Sequence, residues 1–475
     1  MISKKILVFA LGPVVAAVLG FITVPLLAWF YSPEEIGRVA MLQVAITFCL
    51  LLFGLGLDQA YVREYYESTD RCGLLYSTLM PGFFFLLVGL APFFLFPEWM
   101  ALILFDVSDK WAGILVLFIL IVSFLSKFVF LMLRLQEESF LFFLCQVLPK
   151  LALIFLILGY VFFSVSPDIF SLLAANFLSL SAVIVVFVLL GNFDFGVFIR
   201  KSLELDKLRL MFAYCLPMLL SGVAYWGLTA VDKIFIRSFS TFGELGMYSV
   251  AASFAALATI FQNVFGLLWS PWVYRKHAEN GLTRSLMVRI QRQAVLVVVI
   301  IFCLMGMFSW TIDWVIPSNY SNVKYIVVAC VGLPVFYTLS EVTGIGVGIT
   351  RRTMFFMCAT FFALAVSVLL NYFLVPAYGG AGAAVSTCMS LWLFFVLKTE
   401  ISNHIWQSFS RVDVYFLPTV CLLLAVLMAL KLLPYPVIFM SWLGVFLIAA
   451  FVFRRDFLIV LVGVRSVMAG FFGRF

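Results

Sequence analysis

Charge is what this sequence has least of. Of its 475 residues only 11% are Asp, Glu, Lys or Arg, while 65% are hydrophobic. Ordinary soluble domains carry about 25% charged and about 45–50% apolar residues. A chain so poor in polar side chains cannot coat itself for water, so its solvent is mostly lipid. That excludes a cytosolic enzyme, a nucleic-acid binder and a secreted disulfide scaffold. Histidine is nearly missing, and both copies, His277 and His404, are expected in inter-helical loops. HExxH, GxSxG and Walker sequences are absent, so no catalytic residue is expected, and ATP hydrolysis in this chain cannot drive work. The nine cysteines form no CxxC pair and sit mostly in apolar runs, where Cys acts as a small hydrophobe rather than a ligand or disulfide partner. Strands of about 10 alternating residues are also lacking, which excludes a transmembrane barrel.

What is present is a series of long apolar runs, rich in Phe (55 residues). A spanning helix needs about 20 such residues. About fourteen segments qualify, near 6–30, 38–56, 74–97, 111–133, 140–163, 169–191, 210–236, 245–270, 288–312, 324–348, 353–374, 378–400, 413–432 and 436–453. The first follows Lys4-Lys5 but is too long for a signal-peptide core and has no A-x-A cleavage site, so it reads as a retained helix. The expectation is an all-α integral membrane protein. Lys and Arg mark the cytoplasmic side of such proteins. With the N-terminus inside, most of the thirty basic residues fall at inner ends and loops, Lys4, Lys5, Arg200, Lys201, Arg351, Arg352 and Lys398 among them. The outer side receives only Arg38, Lys110, Lys233, Arg237, Lys324 and Lys431. An even number of spans returns the C-terminus to the cytoplasm.

The longest connection, 192–209, mixes apolar and basic residues and suits a segment lying on the membrane surface. It divides the chain into an N-terminal lobe (1–191, spans one to six), the linker, a C-terminal lobe (210–400, spans seven to twelve), spans thirteen and fourteen (401–453) and a cytoplasmic tail (454–475) that suits the inner leaflet. A weak repeat links the lobes. Glu35-Ile36-Gly37 opens span two and Glu244-Leu245-Gly246 opens span eight, 209 residues later. Six helices per copy gives parallel repeats, a known transporter plan.

Several short motifs follow one another along the chain. Span one is followed by Tyr31-Ser32-Pro33-Glu34-Glu35-Ile36-Gly37, and span two ends in Gly54-Leu55-Gly56-Leu57-Asp58-Gln59-Ala60-Tyr61-Val62-Arg63. Span four exits through Leu133-Arg134-Leu135-Gln136-Glu137. Span seven carries Leu216-Pro217 and Asp232-Lys233, and span eight ends in Trp269-Ser270-Pro271-Trp272. Span eleven leads into Asn371-Tyr372-Phe373-Leu374-Val375-Pro376-Ala377-Tyr378-Gly379-Gly380-Ala381-Gly382. This order resembles the polysaccharide transporter family, the O-antigen-type flippases of the MATE-like (MOP) superfamily, over residues 1 to about 400. The resemblance implies two pseudo-symmetric six-helix lobes around a central cavity, plus two C-terminal helices. It also implies movement of undecaprenyl-diphosphate-linked oligosaccharide from the cytoplasmic to the periplasmic leaflet of a bacterial inner membrane by alternating access. The implied partners are that lipid-linked substrate, membrane lipids, and polysaccharide polymerase and chain-length proteins, with no nucleic acid. No cofactor or metal is implied beyond a coupling H+ or Na+. A peptidoglycan-precursor flippase or a multidrug/cation antiporter of the same superfamily is the alternative.

Much of this has a plain structural account. Ser32-Pro33-Glu34-Glu35 is a good helix start, and the small residues after Pro376 suit close helix packing. Charges at depth do not reduce so easily, because Arg, Lys or Asp at a helix centre costs about 2.5–3.5 kcal/mol and such groups face cavities. Lys150 lies roughly 15 Å into span five and Lys127 roughly 10 Å from the exit of span four. No acid of the N-terminal half is expected at their depth, so both are candidates for a phosphate-bearing ligand. Lys233 and Arg237 are one turn apart near the outer end of span seven, and Arg38 sits at the outer start of span two. All three are candidate cavity contacts or interface anchors. Asn371 is a candidate sugar-hydroxyl contact. Asp58, Arg63, Asp232 and Glu341 are candidate gating or ion-coupling groups. Glu341 either binds a cation or proton, or pairs with a lysine of the other lobe. Gly344, Gly346 and Gly348 beside it allow bending or close packing.

Overall fold

The computed structural model describes residues 4–454 except 192, 204, 280 and 351. The expected tail (454–475) therefore lies outside the described residues beyond Arg454. Among the described residues the chain is helical, without strands. Among the described residues twelve helices are long and apolar enough to cross a membrane, as expected of a multi-pass protein. One of these, α15, is broken by Gly379 and covers both segments expected near 353–400. The segment expected at 210–236 falls on α10, so every expected segment lies on a helix.

The helices form two compact units, Met1–Lys233 and Ile234–Phe475. The first holds α1 (Lys4–Phe30), α2 (Pro33–Leu52), α3 (Leu57–Glu64), α4 (Arg71–Leu95), α5 (Pro97–Phe105), α6 (Lys110–Leu135), α7 (Ser139–Phe162), α8 (Ile169–Leu190), α9 (Phe195–Ile199) and most of α10 (Leu205–Phe239). The second holds α11 (Phe242–Ala278), α12 (Arg284–Phe308), α13 (Val323–Thr343), α14 (Ile345–Ile349), α15 (Thr353–Ile405), α16 (Arg411–Ala429) and α17 (Tyr435–Val452). Two short 3-10 turns, Ser309–Trp314 and Ser318–Tyr320, link α12 to α13.

Each unit is built around one central helix. In the first, α6 packs on α2, α4, α5 and α8 and buries Val116, Phe124 and Phe128. In the second, α13 is buried along most of its length against α11, α12, α15 and α16. A helix apolar on all sides belongs in such a place. Small residues let its neighbours approach. A Cβ on Gly332 would lie only 2.3 Å from the Cys388 sulfur. The packing order repeats between units. In the first, the second long helix packs on the fourth and the fourth on the sixth (α2, α6, α8). In the second unit α11, α13 and the second arm of α15 do the same.

The sequence repeat has a physical basis at the helix starts. Ser32 Oγ accepts the Glu35 N–H at 3.4 Å, and Thr241 Oγ1 accepts the Glu244 N–H at 3.2 Å. Each side chain satisfies one of the donors a helix leaves free in its first turn. Glu244 does more. Its Oε2 accepts the Gly380 N–H at 2.9 Å, where the chain reverses at Gly379 with φ +54. A side chain on Gly379 would be strained by that backbone and would also collide with Glu244.

Four short helices were not anticipated. α3 exists because α2 stops four residues early, at Leu52 rather than 56. Leu55 (φ +52) and Gly56 (φ +71) turn the chain before α3 begins. The linker expected to lie on the membrane surface contains α9, capped by Asp194 on the Val197 N–H at 3.0 Å.

Candidate functional site

The candidate residues fall into three polar sites within the units and several local contacts. The first site is the end of α2. Lys127 reaches out of α6, donates to the Leu50 carbonyl at 3.1 Å and pairs with Asp58 of α3 at 3.2 Å. Leu50 is in the last turn of α2, whose carbonyls have no helical partner, and an ammonium there also meets the negative end of the helix dipole. Gly54 leaves room for it, since a Cβ there would lie 2.9 Å from Lys127 Nζ. The expectation that no acid shares the depth of Lys127 is corrected. The turn at Leu55 and Gly56 sets α3 against α6 and brings Asp58 to the lysine. Arg63, at the far end of α3, is mostly exposed and lies 3.9 Å from Glu64.

The second site is the middle of α7. Lys150 follows Pro149, its side chain is exposed, and it has no hydrogen bond or ion pair among the described residues. One turn earlier on the same face is Gln146, whose Oε1 is buried without a hydrogen-bond partner among the described residues. Gln146 packs over Gly12 of α1, where a Cβ would sit 3.0 Å from that oxygen. A charged and an unsatisfied polar group thus share one strip of an otherwise apolar helix. A lone ammonium at this depth requires water or an anionic partner.

The third site joins α13 to α15. Glu341, in the last turn of α13, is ion-paired with Lys398 of α15. The pair forms inside one unit, not with a lysine of the other lobe. Lys398 is 7% exposed, and its Nζ lies 5.0–5.9 Å from the ring centres of Phe356, Phe394 and Tyr337. Rings at that distance attract a cation through their faces. The Trp269 indole donates to the Glu341 main-chain carbonyl at 3.0 Å, and Thr343 bonds Thr399 at 2.6 Å. The nearby glycines serve close packing. Cβ atoms on Gly344, Gly346 and Gly348 would meet Lys398, Ser402 and Tyr274 within 2.6 Å.

The other candidates make local contacts. Arg38 is bonded to Glu35 and donates to the Phe105 carbonyl at 3.3 Å, which ties α2 to α5. Asp232 is fully buried and accepts the Lys233 N–H at 2.7 Å. Lys233 Nζ lies 3.7 Å from Asp232 and donates to the Thr229 carbonyl at 3.3 Å. The Arg237 guanidinium stacks over Phe242 at 4.7 Å. Asn371 is fully buried. Its amide donates to the Ser367 carbonyl at 2.8 Å, and its Oδ1 has no hydrogen-bond partner. Sequence reasoning passed over Lys398, which it read as an inner-face charge, and Gln146, which a hydropathy scan treats as one polar residue in an apolar run. The only local hint at Lys398 is Phe394 one turn before it.

The fold agrees with comparison to known proteins. A family model described as "Polysaccharide biosynthesis protein" matches residues 2–277, more than half of the chain. Among curated proteins, a probable low-salt glycan biosynthesis flippase, Agl15, of Haloferax volcanii is 20% identical over 212 residues, 44% of each chain. A probable multidrug resistance protein, NorM, of Neisseria meningitidis is 24% identical over 259 residues, 47% of this chain and 53% of that one. The chain thus spans about half the length of the curated relatives it matches. Among solved structures, the lipid II flippase MurJ in an inward closed conformation superposes with a TM-score of 0.65 at 16% identity, covering 95% of this chain and 100% of that one. An inward-facing multidrug resistance MATE transporter of the MOP superfamily gives 0.56 at 13% identity, covering 82% and 94%. At these identities the structural likeness is one of fold.

Proposed function

This chain belongs to the polysaccharide biosynthesis protein family, and on that premise we propose that it is a flippase for undecaprenyl-diphosphate-linked oligosaccharide. The cargo in this reading is an O-antigen or similar surface-polysaccharide repeat unit. It passes from the cytoplasmic to the periplasmic leaflet of a bacterial inner membrane by alternating access, with both termini in the cytoplasm, driven by an ion gradient, by the membrane potential or by withdrawal of the product. A glycan flippase among the curated relatives and a lipid II flippase among the structural ones support the class.

The observation that carries the choice of cargo is Lys150. It is a cation without a counter-charge among the described residues, in the middle of a membrane-length helix. A diphosphate supplies two anionic groups, and an ammonium is a good point-charge partner for phosphate. Lys127, by contrast, is already committed to Asp58 and a carbonyl, so the reading rests on Lys150. Arg38, Lys233, Arg237 and Asn371 stay within it as further contacts to the substrate, and Asp58, Arg63, Asp232 and Glu341 as gating or coupling groups. A multidrug exporter is the second reading, favoured by the likeness to NorM and to the MATE fold. An unpaired lysine opposes it, because cationic drugs are repelled by such a group.

Deletion of the gene, with surface glycan measured in the deletion strain and after complementation, tests the proposal. Loss of surface polymer is expected, with recovery by the wild-type chain and poor recovery by Lys150→Ala at equal protein level. An unchanged surface polymer in the deletion strain would overturn it.

A further inference from the structure

Within the first unit α10 runs antiparallel to α2, and three contacts set the register. A Cβ on Gly56 would lie 3.1 Å from that of Cys215, and one on Gly222 would lie 3.0 Å from Leu51 Cδ1. The Trp226 indole N–H donates to Thr47 Oγ1 at 3.1 Å. Going back from Gly56 to Thr47 is therefore going forward along α10 from Cys215 to Trp226. The next turn brings Thr229 of α10 to the level of Gln43 of α2. Gln43 lies ten residues into α2, roughly 15 Å at 1.5 Å per residue. That is the middle of a hydrocarbon core about 30 Å thick.

The face these residues share is polar without being charged. Gln43, Thr47 and Phe48 are exposed, and Trp226 and Thr229 partly so. The core-facing side of α2 is a different one, made of Leu42, Ile46 and Cys49. The Gln43 side chain has no hydrogen bond among the described residues. The Thr47 and Thr229 hydroxyls donate into their own helices, to the Gln43 and Trp226 carbonyls at 3.0 Å each, which leaves their oxygens free to accept. The Trp226 ring is held twice, by Thr47 at its N–H and by Phe48, whose ring centre is 4.9 Å away. A bare carboxamide at mid-membrane is costly in hydrocarbon, so it faces water or a polar ligand.

We propose that this face is a sugar subsite that takes an uncharged pyranose ring of the transported substrate. The inference rests on the flippase reading, in which Lys150 serves the diphosphate and the glycan needs contacts of its own. The Gln43 carboxamide offers a donor and an acceptor side by side, the complement of two neighbouring sugar hydroxyls. Thr229 Oγ1 accepts from a further hydroxyl. The face of an indole ring is negative and attracts the polarised C–H bonds on the flat side of a sugar. An indole already fixed by Thr47 and Phe48 loses little freedom when a ligand stacks on it. No charged residue lies between Gln43 and Thr47 or between Trp226 and Thr229. The subsite therefore selects a neutral ring over an acidic one, because nothing here offsets the desolvation of a carboxylate.

Equilibrium binding of three lipids to the purified full-length chain, read by native mass spectrometry, tests this. The lipids are undecaprenyl diphosphate alone, the same lipid carrying N-acetylglucosamine, and the same lipid carrying glucuronic acid. The N-acetylglucosamine lipid should bind about tenfold tighter than the bare one, the gain that good hydrogen bonds provide. The glucuronic acid lipid should gain nothing. Gln43→Leu and Trp226→Leu should each abolish the gain and leave affinity for the bare lipid unchanged, whereas Lys150→Ala should weaken all three alike. If Trp226→Leu does not fold, Thr47→Val frees the indole and makes the same test with a smaller loss. Equal binding of the bare and N-acetylglucosamine lipids by the wild type would overturn the inference and leave the flippase reading standing. So would a gain that survives Gln43→Leu and the Trp226 or Thr47 variant, or an equal gain with glucuronic acid. Binding of none of the three would overturn both.

Discussion

Lys127 and Lys398 lie in different units, yet both reach from a long helix to the broken end of a neighbour and meet an acid there. Lys127 reaches the α2–α3 break beside Gly54, and Lys398 the α13–α14 break beside Gly344. They differ in how the charge is held. Lys127 is 26% exposed and its Asp58 18%, and a main-chain carbonyl completes its bonding. Lys398 is 7% exposed and surrounded by three aromatic rings. A partly wet pair is screened and contributes modestly. Lys398 is the drier cation although its Glu341 is 23% exposed, and removing that acid is costly because it strands a buried ammonium. Lys150 makes the comparison sharper still. It is a lysine in the same kind of helix that meets neither acid nor carbonyl among the described residues, so it has no evident structural task.

The comparison can be broken at several points, in falling order of expected effect on stability. Glu341→Ala should destabilise the second unit by about 3 kcal/mol, because it strands the buried Lys398 ammonium. The double change Glu341→Leu with Lys398→Met should recover much of that loss, read as the thermal unfolding midpoint in detergent. If Glu341→Ala alone costs nothing, Lys398 is not dry. Gly344→Ala should cost about 1–3 kcal/mol, because the added methyl displaces the Lys398 stem. Asp58→Ala should cost about 1 kcal/mol, since Lys127 keeps the Leu50 carbonyl. A loss as large as that of Glu341→Ala would show the two lysines to be equivalent. Lys150→Ala should leave the midpoint within about 0.5 kcal/mol of wild type or raise it, while surface glycan falls. A marked loss of stability would make Lys150 a structural residue and remove the main support for the cargo.

Much of the fold was legible because it depends on local composition. Each span is a run of about 20 apolar residues, and that length is set by the bilayer. The repeat between Glu35 and Glu244 was legible for a similar reason. An acid in the first turn beside a Ser or Thr cap is written within four residues. The short helices were not legible. α3, α5, α9 and α14 hold nine residues or fewer, too few for a periodic pattern. The pairing of charges was less legible still. Lys127 finds Asp58 only because Leu55 and Gly56 turn the chain, and Glu341 finds Lys398 across 57 residues of sequence. Reading depth alone made Lys127 and Lys150 look alike. Their surroundings make them opposites.

The scarcity of charge therefore determined two things by itself: that the solvent is lipid and that each charged residue at depth needs a reason. Hydropathy is additive along the chain, so it could be summed without knowing the fold. Which lysine is neutralised, which is enclosed by rings and which stands open was decided only by tertiary structure. A charge interacts with whatever folding brings within a few ångströms, and the acids that pair with Lys127 and Lys398 come from other helices.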